Sequence, residues 1–257
     1  MDIRNKDDFE KIPKNFEIII HTAAQTSAAK SFSISQYDQE TNVHGTYNVY
    51  EFAKSCDAKL MINLSSMAVY GSPKKIKIIN ENYEPKPVSF YGNSKLSAEK
   101  VLEILSKRNQ LPVINLRLFN VYGPGQNIND LQQGMVSIYL YYLLYKKQIL
   151  VKGALDRIRD FIYIDDVVNA IVLIIKSNLY ASNTFNISSK STTSVKSLIK
   201  LLQLILKKKK KIILGKNTPG DVFGFGGNNS KFKKKYRWKP KFSLRKGLKI
   251  MSNYYQI

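Results

Sequence analysis

Three short apolar runs, separated by stretches with helical spacing, constrain the fold more than anything else in this chain. They are Phe16-Glu17-Ile18-Ile19-Ile20-His21, Leu60-Met61-Ile62-Asn63-Leu64 and Val113-Ile114-Asn115-Leu116-Arg117-Leu118. Each is short, rich in aliphatic residues and nearly unbroken, the pattern of a strand covered on both faces. Between them, Tyr37 to about Cys56 and Tyr91 to about Lys107 repeat apolar residues at helical spacing. Strands alternating with helices imply a parallel sheet with right-handed crossovers, hence an α/β fold. Beyond Gly123 the rhythm loosens. A tyrosine-rich helix is expected over Leu131–Lys147, strands over Gln148–Lys152 and Phe161–Ile164, and Asp165-Asp166 as the cap of a helix reaching about Ser177. A strand at Thr184–Ile187, a helix at Val195–Leu206 and a strand at Ile212–Leu214 follow. Gly224–Asn229 reads as a loop, and two short helices flank Trp238-Lys239-Pro240.

Several function classes drop out early. Cys56 is the single cysteine, so no disulfide framework exists within the chain, and its helical setting reads as a buried thiol. Two histidines, His21 and His44, far from that cysteine, give no metal-ligand spacing, so no metal is expected. No stretch reaches the ~20 apolar residues of a membrane span. Charged residues follow Met1 at once, so no signal peptide is visible and a cytoplasmic protein without a membrane partner is expected. The net charge of +22 reflects lysine spread along the whole chain. The one long basic run, Lys207–Lys211, lacks the interleaved aromatics of a stacking platform, so no specific nucleic-acid partner is expected.

Chemistry concentrates between Leu60 and Lys95. The second apolar run ends in Ser65-Ser66, and Tyr91 and Lys95 stand four apart at the start of a helix, on one face. A phenol ordinarily loses its proton near pH ~10. A neighbouring ammonium favours the phenolate, which lets the phenol act as a base near neutrality. Ser66, at the carboxyl end of a strand, is placed to hydrogen-bond the same substrate hydroxyl.

The wording around these residues adds to the pattern. His21-Thr22-Ala23-Ala24-Gln25, Asn42-Val43-His44-Gly45-Thr46, Leu116-Arg117-Leu118-Phe119-Asn120-Val121-Tyr122-Gly123-Pro124-Gly125 and Arg159-Asp160-Phe161-Ile162-Tyr163-Ile164-Asp165-Asp166-Val167 occur in that order. With Ser66, Tyr91 and Lys95 they make the chain resemble the NAD-dependent epimerase/dehydratase family, extended short-chain dehydrogenases, in its nucleotide-sugar epimerase branch. The resemblance implies a Rossmann-like parallel sheet with helices on both faces and a smaller C-terminal substrate lobe. It implies an NAD domain over 1–123 and 159–187, and a nucleotide-sugar lobe over 124–158 and 188–257. By the same resemblance Ser66, Tyr91 and Lys95 are catalytic. Asp2, Ile3, Ala23, Ala24, Gln25, Phe119 and Val121 would contact NAD along with Tyr91 and Lys95, while Asn120 and Arg159, with Ser66, would contact the nucleotide-diphosphate sugar. A homodimer through the helices Tyr37–Cys56 and Tyr91–Lys107 is also implied. The activity implied is a 4-epimerase, working through a transient keto-sugar. A non-catalytic remnant or scaffold of the same fold and a nucleotide-sugar reductase or dehydrogenase are the alternatives.

Three departures from the family pattern stand out. The glycine-rich turn Gly-x-x-Gly-x-x-Gly, which presents a helix N-terminus to the pyrophosphate, does not occur ahead of Tyr91. The expectation is therefore an N-terminally truncated chain. Two strand–helix units and a strand, about 60 residues, would precede Met1, and the first strand present would lie open at a sheet edge. Dehydratases of the family carry Thr-Asp-Glu where this chain has Ser66-Met67-Ala68, which supplies neither an acid nor a base for water elimination. Finally, Thr218-Pro219-Gly220-Asp221 stands where the family often has Arg-x-Gly-Asp.

Overall fold

A computed structural model describes residues 1–73, 78–217, 220 and 222–256. The departure at 218–221 thus falls, Gly220 excepted, outside the described residues.

The chain opens with a 3-10 turn at Lys6–Lys11 and strand β1 at Ile18–His21. A continuous helical stretch follows, made of α1 (Ser35–Asp38), a π-helical turn at Gln39–His44 and α2 (Gly45–Ser55). Next come β2 (Leu60–Ser66), a 3-10 turn at Met67–Tyr70, β3 (Ile78–Ile79), the long α3 (Phe90–Asn109), β4 (Val113–Leu118) and β5 (Asn120–Tyr122). Then come α4 (Met135–Tyr145), β6 (Gln148–Lys152), β7 (Ile158–Tyr163), α5 (Ile164–Ser177), β8 (Asn183–Ile187) and β9 (Thr192–Ser194). The C-terminal part holds α6 (Val195–Leu206), β10 (Lys211–Gly215), β11 (Gly226–Gly227), α7 (Ser230–Tyr236) and α8 (Leu244–Tyr254).

The main sheet has the order β1-β2-β4-β8, every neighbour parallel, as the alternation of strands and helices requires. β1 is an edge strand: it pairs with β2 alone among the described residues, and Ile20 is 42% exposed. A buried amide pair knits the centre, with Asn63 Nδ2 donating to Asn115 Oδ1 at 2.8 Å between directly opposite positions of β2 and β4. One apolar cluster lies between this sheet, α5 and α7, around Phe185, Phe232 and Trp238. Another lies between the sheet, α2 and α3, around Tyr50, Met61 and Leu102. A third holds the C-terminal elements together, where α4, α6 and α8 pack beside the parallel pair β6–β10.

Some local expectations are corrected. Helix α4 begins at Met135 rather than Leu131, because Gly134 at φ +80° breaks the helical path. Asp165 and Asp166 lie in the first turn of α5, whose N-cap is Tyr163. Asp166 instead accepts the backbone N–H groups of Lys241 and Phe242, and Trp238 donates its indole N–H to the Asp166 carbonyl, so this turn anchors the C-terminal segment. Gly226–Gly227, read as loop, pairs with Ile78–Ile79.

His21 ends β1, only 4% exposed. Thr46 Oγ1 donates to the Asn42 carbonyl at 2.6 Å, so it accepts from His21 Nε2 at 2.9 Å, and the ring carries its proton on Nε2. Burial, and then the Lys95 ammonium, push the imidazole down to about 3. Below pH ~6.5 the unfolded chain takes up a proton that the folded one refuses, so stability falls as pH drops from there toward 3. We expect about 2 kcal/mol to be lost at this site between pH 7.5 and pH 5. Urea melts of wild type and His21→Gln at the two pH values check this: the variant's loss should be smaller by that amount.

Candidate active site

β1, β2 and β4 end on the same side of the sheet, and their following loops ring a cavity of about 970 Å³. Ser66 closes β2 and caps the 3-10 turn that follows, its Oγ accepting the Ala68 N–H at 3.1 Å. Its own proton stays available to Tyr91, which hydrogen-bonds it. Ser89 caps α3 by accepting the Gly92 N–H, and this fixes the first turn that carries Tyr91. One turn along, Lys95 is 2% exposed, lines the cavity and makes no hydrogen bond or ion pair among the described residues.

The electrostatics differ from the expectation. Burial pushes the Tyr91 phenol up, the Ser66 hydrogen bond pulls it partly back, and nearby Asp38 raises it further; Lys95 is not among the groups that shift it. Lys95 is itself pushed down to about 8 by burial, against the pull of Glu99. In the protein by itself, therefore, the phenol keeps its proton at neutral pH.

Behind the cavity lies machinery that the sequence reading missed. Glu99, one turn beyond Lys95, is 4% exposed and takes a two-pronged ion pair from Arg117 of β4, at 2.6 and 3.0 Å. Ser65 donates to the same carboxylate, and the Arg117 guanidinium lies 4.8 Å from the Tyr70 ring centre. Burial alone would lower Arg117, but the Glu99 carboxylate raises it well above its ordinary value. Asn42, fully buried, ties the loop after β1 to α3: its amide donates to the Gln25 carbonyl at 3.0 Å and to Ser94 Oγ at 2.9 Å, and its oxygen accepts the Gln25 N–H. Only Arg117 carried a signal in the sequence, as a charge between Leu116 and Leu118; Glu99 and Asn42 each have a polar neighbour and did not stand out.

Of the residues singled out from sequence, Ala24, Ser66, Tyr91, Lys95, Phe119, Asn120, Val121 and Arg159 line this one cavity. Asp2, Ile3, Ala23 and Gln25 do not. Ile3 is core: it packs where a side chain on Gly45 would collide with it at 2.6 Å. Asp2 pairs with Arg4 and borders a separate shallow pocket. Gln25 is engaged with Ser27, Asp38 and Asn42. Asn120 turns its amide N–H to the Asp160 carbonyl at 2.9 Å, with Met67 Sδ at 3.4 Å. Arg159 donates to the carbonyls of Ile158 and Phe223, and burial, then neighbouring Arg157, lower it to about 10. Asp160 collects the backbone N–H groups of Ser189, Lys190 and Gly227, which ties the C-terminal part to the sheet beneath the site.

These residues fit the nicotinamide-ribose end of a dinucleotide. A buried ammonium with no hydrogen-bond partner among the described residues lines the cavity beside a phenol, and small side chains such as Ala24 permit close approach.

The model of the NAD dependent epimerase/dehydratase family matches residues 1–188. A relative from Methanocaldococcus jannaschii is 32% identical over 98% of this chain and 82% of its own length. The dTDP-L-rhamnose 4-epimerase of Burkholderia thailandensis is 28% identical over 90% of this chain and 73% of its own. Among solved structures, the UDP-glucose 4-epimerase of Thermotoga maritima with UDP-glucose superposes with a TM-score of 0.93 at 32% identity, over the whole of this chain and 83% of that one. The UDP-glucuronic acid 4-epimerase of Bacillus cereus, with UDP-glucuronic acid and NAD, superposes with a TM-score of 0.87 at 26% identity, covering 80% of that chain. With Ser66, Tyr91, Lys95, Phe119 and Arg159 on one cavity and a family model matched over residues 1–188, this chain belongs to the NAD dependent epimerase/dehydratase family.

Proposed function

We propose that the protein is an NAD-dependent nucleotide-sugar 4-epimerase. The observation that carries the reading is the convergence of Ser66, Tyr91 and Lys95 on a cavity whose described lining includes five cations and no carboxylate. NAD, when bound, supplies hydride exchange at the sugar carbon together with a positive ring charge. Tyr91 then handles the hydroxyl proton, taking it as the carbon is oxidised and giving it back as the carbon is reduced. Ser66 steadies the same oxygen by its hydroxyl. Lys95 would hold the ribose by its ammonium. Arg159 stands toward the diphosphate, a task suited to a guanidinium. Met67 and Ala68 carry no acid or base, so the site lacks the groups that would eliminate water. Turnover of a nucleotide-sugar to its C-4 epimer at millimolar NAD tests the reading.

The functional form is a homodimer pairing the α1–α2 stretch and α3 with their copies about a two-fold axis. In support, Tyr47 on α2 and Ile104 on α3 are large apolar side chains left exposed. Light scattering at micromolar concentration should give twice the mass of 29.4 kDa; a monomer mass would contradict it.

A further inference from the structure

We propose that the outer face of α6 and α8 is a docking surface for a membrane rich in anionic lipid, separate from the cavity.

Charge is uneven along the sequence. Basic residues run throughout, but acids do not: Asp221 is the one acid after Asp166. Twenty Lys and Arg against that single acid give residues 167–257 a charge of +19, out of +22 for the whole chain. Such an imbalance between two parts of one chain favours an anionic partner for the basic part.

The fold gathers part of this charge on one surface. α6 and α8 pack against each other and bury Leu198, Leu202, Leu248 and Met251 in one apolar cluster, so their opposite faces both meet solvent. On α6 that outer face carries Lys196, Lys200 and Leu204, each four residues beyond the last, with Lys207 at the helix end. On α8, Lys246, Ile250 and Tyr254 repeat the spacing, flanked by Arg245 and Lys249. All of these side chains are exposed. Among the described residues, no ion pair reaches either helix. Bonded contacts bring two acids near. Asp156 stands beside the Leu155 carbonyl that accepts the Lys196 N–H, and Asp165 beside Asp166, which accepts the Lys241 N–H. Against them stand the six cations of the face.

The apolar members choose the partner. Leu204 is 62% exposed and Tyr254 53%, at the carboxyl ends of the two stripes. An aliphatic side chain gains little from a nucleic acid, whose bases stack on aromatics, but it gains by burial among lipid tails. Tyrosine favours the headgroup level, and lysine and arginine favour the anionic surface beside it. Among the described residues no helix is long and apolar enough to cross a bilayer, so the contact is with its surface. None of the residues of α6 or α8 lines the cavity, so the two surfaces can be altered independently.

Vesicle flotation with the whole chain tests this. Phosphatidylcholine vesicles with about one-third phosphatidylserine should bind at least ~30-fold more tightly than pure phosphatidylcholine, and about 0.5 M salt should release the protein. Lys200→Glu with Lys249→Glu should weaken that binding at least ~20-fold. Lys14→Glu with Lys176→Glu makes the same change of net charge at exposed sites elsewhere, and should weaken it less than ~3-fold. Leu204→Ser with Tyr254→Ser keeps every charge and should weaken it at least ~5-fold. All three pairs change exposed side chains, and melting curves should match wild type. Equal binding to the two kinds of vesicle overturns the inference. So does an equal loss from both charge-reversed pairs, which would mean that net charge alone is read. Vesicle binding undiminished in the Leu204, Tyr254 variant, with tighter binding to a DNA duplex than to vesicles, assigns the face to nucleic acid and overturns it too.

Discussion

Tyr91→Phe is expected to lower turnover of the nucleotide-sugar by about 10³, within the ~10²–10⁴ that a positioned proton-transfer group contributes. The substitution removes one oxygen. The ring, its place in the first turn of α3 and the Ser89 cap all remain, so the melting temperature should stay within a degree or two. The alcohol oxygen sheds its proton as its carbon is oxidised and regains one on return, so both halves of the reaction lose the phenol. Burial, eased by the Ser66 bond, holds the phenol in its protonated form, so Ser66→Ala should raise it further and move the rising limb of the pH–rate profile to higher pH. Steady-state rates with melting curves for wild type and Tyr91→Phe decide the point. If the variant keeps more than about a tenth of the activity, Tyr91 is not the proton-transfer group.

The largest loss of stability from a single change is expected at Glu99. Glu99→Ala leaves Arg117, 6% exposed, as a buried charge with its carboxylate removed, and leaves Ser65 without its acceptor. Breaking a buried pair in this way costs about 3–5 kcal/mol. For a chain of this length that lowers the melting temperature by roughly 10 °C or more. The loss comes from the stranded guanidinium rather than from the missing attraction. Removing both charges, in Glu99→Met with Arg117→Met, should therefore recover most of it. Thermal unfolding of Glu99→Ala and of the double variant measures this. A double variant no more stable than Glu99→Ala would show that the desolvated charge is not the cause.

The two results bear on how much of the molecule was legible in its residues. The parallel pairing of β1, β2 and β4 was legible because each is a short aliphatic-rich run separated from the next by a helical stretch, an alternation that fits a parallel sheet. The placement of Ser66, Tyr91 and Lys95 was legible because strand ends and helix starts are local features. The Glu99–Arg117 pair was not, because it joins residues on two elements, and no local pattern reports which charges fold against each other. Ile3 and Gln25 were assigned to a ligand by resemblance, yet they serve the core and the loop after β1; sequence position gave their neighbourhood but not which way each side chain turns. The Tyr91 phenol shows the same limit in another form. A lysine one turn away predicts a lowered value, but burial, a property of the whole fold, outweighs it.

The central claim is 4-epimerisation, and proton NMR of UDP-glucose incubated in deuterated water with the protein and millimolar NAD tests it most directly. The account predicts growth of the C-4 epimer, with the original hydrogen kept at C-4 and no deuterium entering there, and its loss in Tyr91→Phe. A 4-keto-6-deoxy sugar, deuterium at C-4, or no epimer at any NAD concentration would contradict it.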